Sequence, residues 1–292
     1  MSSIRTVQFT LLGAVWISTT LTAKVIGDDE RRPPLSDEAP LVNATGLVVC
    51  SRIVDGRPRR SAGTGTVVGN RSTILTSAHV LVDDAGRFGD ELRFDAVADC
   101  VFRQYDSFGG ISVEVRFTQV ALGEFWRNPA EPNQDWAVLR TLEALPPSSL
   151  ALPFSASTSD IDELSGLPIR MLAFHADVRA ERRLPMLSEG TLFGIDYGGF
   201  RRLAHDADTG RMSSGAAIVH RTDGGEFVVV GVNRSSANLR DFNIAVPLSI
   251  ELVETLRSHA YGQVPTHSQR MAAYRGARTM APIPTGFHDS AF

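Results

Sequence analysis

From Gly46 to Val246 the chain is a succession of short β-branched and apolar runs, each closed after a few residues by Gly, Pro, Asp or Asn. That punctuation suits an all-β protein built from barrels. The 292 residues, 43% of them hydrophobic, suffice for a sizeable core, arranged as one large β domain or two small ones. No internal repeat relates the two halves. The formal net charge of −4 argues against a nucleic-acid partner held through phosphates.

Within this pattern the segment Gly63–Val80 is the most informative. Thr66-Val67-Val68 and Thr73-Ile74-Leu75-Thr76 flank Gly69-Asn70-Arg71-Ser72, which reads as the turn of a β-hairpin. The second strand runs into Ser77-Ala78-His79, leaving a histidine at a strand end among small residues. A lone histidine is usually structural, but two later stretches answer this one. Asp135 opens the apolar run Trp136-Ala137-Val138-Leu139. The polar, glycine-containing loop from Asp206 to Gly215 presents Ser214 before the strand-like Ala216-Ala217-Ile218-Val219. Separately, Asp135 and Ser214 read as turn residues. Together His79, Asp135 and Ser214, each at the edge of a β segment, follow the chain order His, Asp, Ser of one known nucleophile–base–acid arrangement.

On these residues the sequence resembles the trypsin-like (chymotrypsin-fold) serine peptidases, and within them a bacterial branch that includes glutamyl endopeptidases. Thr76-Ser77-Ala78-His79 is similar to the family's T-A-A-H, and Asp135-Trp136-Ala137-Val138-Leu139 to its D-x-A-[VL]-[LV]. Asp208-Thr209 with Ser213-Ser214-Gly215-Ala216 is similar to D-T-x-x-G-x-S-G-[GSA]-P. The resemblance spans roughly residues 44 to 260. It implies two packed antiparallel β-barrels, residues 44–150 and 151–261, the second ending in a helix that the spacing of Pro247–His259 also predicts. It implies an endopeptidase in which Ser214 attacks, His79 acts as base and then acid, and Asp135 orients the imidazole. The backbone N–H groups of Met212 and Ser214 would form the oxyanion hole. The substrate is then a peptide or protein, with no cofactor and no metal; Asp83-Asp84-Ala85-Gly86 lacks the spaced oxygen ligands of a calcium loop and reads as a turn.

The chain departs from this pattern at Met212, where the family has glycine, and at Ala217, where it has proline. Methionine resists backbone conformations open to glycine, which keeps a second reading in play: an inactive pseudo-protease used as a binding module. Ser213 is the alternative nucleophile, although Ser214-Gly215 keeps the serine–glycine step. For the substrate pocket the expected residues are Asp208, Thr209 and Asn233. A carboxylate at Asp208 would favour Arg or Lys in the substrate, whereas glutamyl endopeptidases carry a histidine where this chain has Asn233. Arg234 could attract acidic substrates or simply be solvated. His205 reads as structural.

Residues 1–23, with Arg5 and the apolar run Phe9–Leu21, read as a secretory signal peptide, or alternatively an uncleaved anchor, although the run is short for a membrane span. A secreted or periplasmic protein without stable membrane insertion follows. In that setting the two cysteines, Cys50 and Cys100, permit one disulfide, against the alternative of two buried thiols. Residues 24–43 read as a linker or pro-segment with too little apolar surface to fold, Arg57–Arg60 as a basic turn, and residues 262–292 as a disordered tail.

Overall fold

The computed structural model describes residues 25–83, 92–123, 132–155, 161–177, 184–197, 200–236 and 242–262. Two closed six-stranded antiparallel barrels account for most of it. The first is built from β1 (Thr45–Val54), β2 (Arg57–Val67), β3 (Thr73–Thr76), β6 (Cys100–Tyr105), β7 (Ile111–Leu122) and β8 (Ala137–Thr141), in the order β1-β2-β3-β8-β7-β6. A short outlying pair, β4 (Val82–Asp83) and β5 (Leu92–Arg93), stands beside it. The second barrel contains β9 (Pro168–Ala173), β10 (Met186–Tyr197), β11 (Phe200–His205), β12 (Ala217–Arg221), β13 (Phe227–Ser236) and β14 (Asn243–Pro247), in the order β10-β11-β14-β13-β12-β9. Closure removes the exposed edges that an open sheet would present.

The histidine hairpin forms as the sequence indicates, with Thr66 opposite Leu75 and Val67 opposite Ile74. The basic stretch Arg57–Arg60 is not a turn. It is the exposed first part of β2, paired with Val54 to Arg60's partner Ser51 on β1. The turn lies just before it, at Asp55-Gly56, both with positive φ (50° and 73°), the backbone that a two-residue hairpin turn requires. Cys50 and Cys100 face each other across β1 and β6 and form the disulfide.

A large apolar cluster is shared by both barrels. It runs from Phe102, Phe117, Trp136 and Leu139 in the first barrel to Val219, Val229 and Val246 in the second. Helix α2 (Ile250–Tyr261), capped by the Ser249 hydroxyl on the Leu252 N–H, buries Leu252, Val253 and Leu256 against that core. Its last carbonyls are met by first-barrel side chains, Asn70 on the Ala260 carbonyl and Arg140 on that of His259 at 3.1 Å. The helix that ends the second barrel is therefore tied back to the first.

Residues 25–44 differ from the linker expectation. Arg32, Asp37 and Glu38 contact the second barrel, and the segment ends in the short helix α1 (Ala39–Ala44), where the Asn43 carbonyl accepts from Gln104 of the first. Arg32 makes a two-way backbone bridge with Leu187 at 3.0 and 2.7 Å, and its guanidinium grips Glu38, which is 1% exposed. Apolar content was the wrong criterion. Ion pairs and main-chain hydrogen bonds order this stretch, and the neighbouring Arg32 holds the Glu38 carboxyl below the ordinary range. The signal-like residues 1–23, Asp84-Ala85-Gly86 and the tail from residue 263 lie outside the described residues.

Candidate active site

Strand pairing brings His79 and Asp135 together. β3 pairs with β8, Thr76 opposite Ala137, so the residues just after one strand and just before the other meet at one barrel end. Asp135 is fully buried and has its donors arranged around it. The His79 backbone N–H reaches Oδ1 at 3.0 Å, and the His79 Nδ1 lies 2.8 Å from Oδ2. The Arg234 Nε donates to the same Oδ2 at 3.0 Å. Burial opposes ionisation of Asp135, but His79 and Arg234 outweigh it and hold the carboxyl below its ordinary range. An imidazole fixed through Nδ1 by a buried carboxylate offers Nε2 as a proton acceptor.

The serine loop is carried by the second barrel and clamped by the first. Thr64 on β2 donates its N–H to the Met212 and Ser214 carbonyls at 2.9 and 2.8 Å, and its hydroxyl to the Met212 carbonyl at 2.8 Å. The alternation Gly63-Thr64-Gly65-Thr66 serves this contact. Thr66 Oγ1 accepts from the Ala217 N–H across the same boundary. Gly63 allows close approach, since a Cβ there would stand 2.7 Å from the Ser214 carbonyl oxygen. Gly215 is more constrained still: its φ is +87°, and a Cβ would lie 2.1 Å from Thr76 Oγ1 and 2.3 Å from the Thr64 carbonyl.

The two neighbouring serines are not equivalent. Ser213 is buried, donates its hydroxyl to the Gly210 carbonyl at 2.7 Å and accepts from Asn233 Nδ2 at 3.1 Å. Ser214 is partly exposed, and its hydroxyl donates to the Arg234 carbonyl at 2.9 Å. Met212 adopts φ +78°, the left-handed region that suits the glycine it replaces. Among the described residues, the backbone N–H groups of Met212 and Ser214 have no hydrogen-bond partner. Two unpaired N–H groups on one tight loop can hold a developing oxyanion.

The three expected pocket residues are drawn into internal structure. Asn233 is fully buried, its amide donating to the Ser213 carbonyl and hydroxyl and its Oδ1 lying 3.1 Å from Nε2 of the buried His205. Burial keeps that histidine neutral, lowering its pKa to about 4. Thr209 donates to Asn243 Oδ1 at 2.9 Å. The Asp208 carboxylate, 4% exposed, accepts the backbone N–H of Ile26 at 2.7 Å on one oxygen and that of Glu30 at 2.8 Å on the other. Its acceptors face the N-terminal segment, so the expectation of a carboxylate waiting for a basic side chain does not describe this geometry.

Sequence reasoning missed this N-terminal clamp and the ion pair of Arg234. Arg31, with a side chain only 3% exposed, pairs with Asp29 and Asp177, both at 2.8 Å. The approach is closed over Gly210 of the serine loop, where a Cβ would meet Asp177 Oδ1, Arg31 Nη1 and His175 Nδ1 at 2.5 to 2.7 Å. The charged run Asp28-Asp29-Glu30-Arg31-Arg32 carried a faint signal of this, since acidic residues followed at once by basic ones can satisfy one another away from water. Nothing in the sequence connected that run to Asp177 or Asp208.

A family model described as "Trypsin-like peptidase domain" matches residues 63–232. No curated protein sequence matches the chain. Among solved structures, a Glu endopeptidase crystallised with MPD is similar with a TM-score of 0.60 at 18% identity, covering 82% of this chain and all of that one. The protease Anisep from Arthrobacter nicotinovorans gives 0.54 at 14% identity over 83% of this chain and 99% of that one. The thermostable serine protease AL20 from an extremophilic microorganism gives 0.55 at 16% identity over 77% and 97%. At these identities the likeness establishes the fold.

Proposed function

The chain belongs to the trypsin-like peptidase family of serine hydrolases, and from that premise we propose that it is an exported endopeptidase working through Ser214, His79 and Asp135. The observation that carries this reading is the His79 Nδ1–Asp135 Oδ2 contact of 2.8 Å, made with a fully buried carboxylate beside a serine loop whose Met212 and Ser214 N–H groups have no partner among the described residues. A serine hydroxyl is a weak nucleophile until a base takes its proton during attack. His79 Nε2 takes the Ser214 proton as Oγ bonds to the scissile carbonyl carbon. Asp135 stabilises the imidazolium, and the carbonyl oxygen, now negative, is held by the two N–H groups. The same proton then goes to the leaving amine, giving an acyl-enzyme that water hydrolyses by the reverse sequence.

Export is supported by the N-terminal signal-like residues and by the Cys50–Cys100 bridge, which belongs to oxidising compartments. Among the described residues no helix is long and apolar enough to cross a membrane. The engaged Asp208 removes the ground for a tryptic preference, and we assign the enzyme peptides cut after uncharged or acidic residues. One observation favours a second reading, an inactive binding module: the Ser214 hydroxyl already donates to the Arg234 carbonyl. A fluorophosphonate probe separates the two. Labelling that survives Ser213→Ala and disappears in Ser214→Ala is expected; folded wild-type protein that takes no label would establish the binding module. A peptide-library digest on the same preparation should show no enrichment of Arg or Lys before the cut.

A further inference from the structure

Arg234 touches both outer ends of the proposed catalytic group. Its side chain donates Nε–H to Asp135 Oδ2, and its main-chain carbonyl accepts the Ser214 hydroxyl. It can do both because β13 runs along the site, with Asn233 buried beneath the serine loop and Arg234 the next residue, 16% exposed at its side chain. The same carboxylate oxygen thus carries the His79 imidazole and a guanidinium, at 2.8 and 3.0 Å.

We propose that Arg234 is a positioning residue of the peptidase site: it locks Asp135 in place and, by its fixed charge, sets how readily His79 accepts a proton. The proposal rests on the peptidase reading for its catalytic consequence, but not for its electrostatic one. A buried carboxylate with a single cationic partner gives its full attraction to that partner. Here the charge of Asp135 is shared with an arginine that never deprotonates. The imidazolium is therefore less favoured than beside an acid left to the histidine alone. His79 stays neutral, and able to act as base, to a lower pH. His79 and Arg234 both act on the Asp135 carboxylate and favour its charge. Nε also fixes the carboxylate plane, so that Oδ1 remains free for the His79 N–H.

The test uses the full chain with Arg234→Gln, Arg234→Met and Arg234→Lys. The His79 imidazole is followed by NMR as pH is varied, and kcat/KM is measured over the same range. Removing the charge in the Gln and Met variants should move the His79 midpoint upward by roughly one unit, and the acid limb of kcat/KM should move with it. Lysine, which keeps a charge but cannot reproduce the Nε–H contact with Asp135, should hold the midpoint near that of the wild type while lowering kcat. A side chain with a merely structural role would lower stability and rate without moving the midpoint. An unmoved or lowered midpoint in folded Arg234→Gln or Arg234→Met would overturn the proposal. A midpoint that rises in protein that cleaves nothing would uphold the electrostatic role and refute the peptidase reading instead. Should the Gln and Met variants both fail to fold, Arg234→Lys still decides: a kcat equal to the wild type would show that the Nε–H contact does not position Asp135 and would overturn the proposal.

Discussion

At the scale of single residues, the backbone at position 212 sets a clear expectation. Met212 sits at φ +78°, where a side chain costs on the order of 1–3 kcal/mol. Glycine would remove that cost while losing roughly 0.5–1 kcal/mol to the freedom of the unfolded chain. Met212→Gly should therefore be more stable by about 1 kcal/mol, a rise in melting temperature of roughly 2–4 °C for a chain of this size, with probe labelling of Ser214 retained. A lower melting temperature would show that methionine packing outweighs the strain. The loop keeps a glycine-like path despite the methionine because its carbonyls are held from outside, two of them by the Thr64 N–H. Neighbouring contacts over-determine the conformation.

At the scale of elements, the N-terminal segment acts as a strap across the serine loop. It is joined to that loop at Asp208 through the N–H groups of Ile26 and Glu30, and to the loop's neighbour Asp177 through Arg31. Asp208→Ala removes both acceptors at once and leaves partly buried donors without partners, a cost of about 1–3 kcal/mol for each group that water cannot reach. Amide hydrogen exchange should then speed up at Ile26 and Glu30 well before it does in β10 or β13. The substitution should also lower peptidase activity, since the residue lies six positions before Ser214 on a loop the strap holds. Unchanged exchange at Ile26 and Glu30 would mean that Arg31 and Arg32 alone hold the segment.

For the whole molecule, buried histidines make stability depend on pH. Burial lowers His175 and His205 each to about 4, and it also lowers His259. In the unfolded chain a histidine titrates near 6.5. Between those values the unfolded state binds more protons, so stability rises with pH. The contribution is fully present above about pH 6.5 and is lost as pH falls towards 4. A shift of that size is worth roughly 3 kcal/mol for each of the two. Urea midpoints should fall steadily from pH 7.5 to 4.5, and His205→Gln should flatten the slope. A midpoint that stays level over that range would reject the assignment of neutral buried histidines. The interior position of these groups follows from the two-barrel packing, with His205 lying under the Asn233–Ser213 contact.

Sequence alone determined the all-β class, the hairpin around His79, the segments bearing Asp135 and Ser214, and the C-terminal helix. Each is written in short-range features: β-branched runs, turn residues, helical spacing and local motifs. It also marked Met212 as the departure, because the backbone need at that position is local. Tertiary structure alone decided what the polar side chains do. Asp208 looks like a pocket carboxylate until Ile26 and Glu30 arrive, nearly 180 residues earlier in the chain. Arg234 looks solvated until β13 is laid beside the residue that opens β8. The run Asp28–Arg32 looks like a linker until Arg31 is buried between two carboxylates. Charged residues carry no periodic signature of their partners. Their pairing depends on which strand ends closure of the barrels brings together, and that is a property of the folded chain.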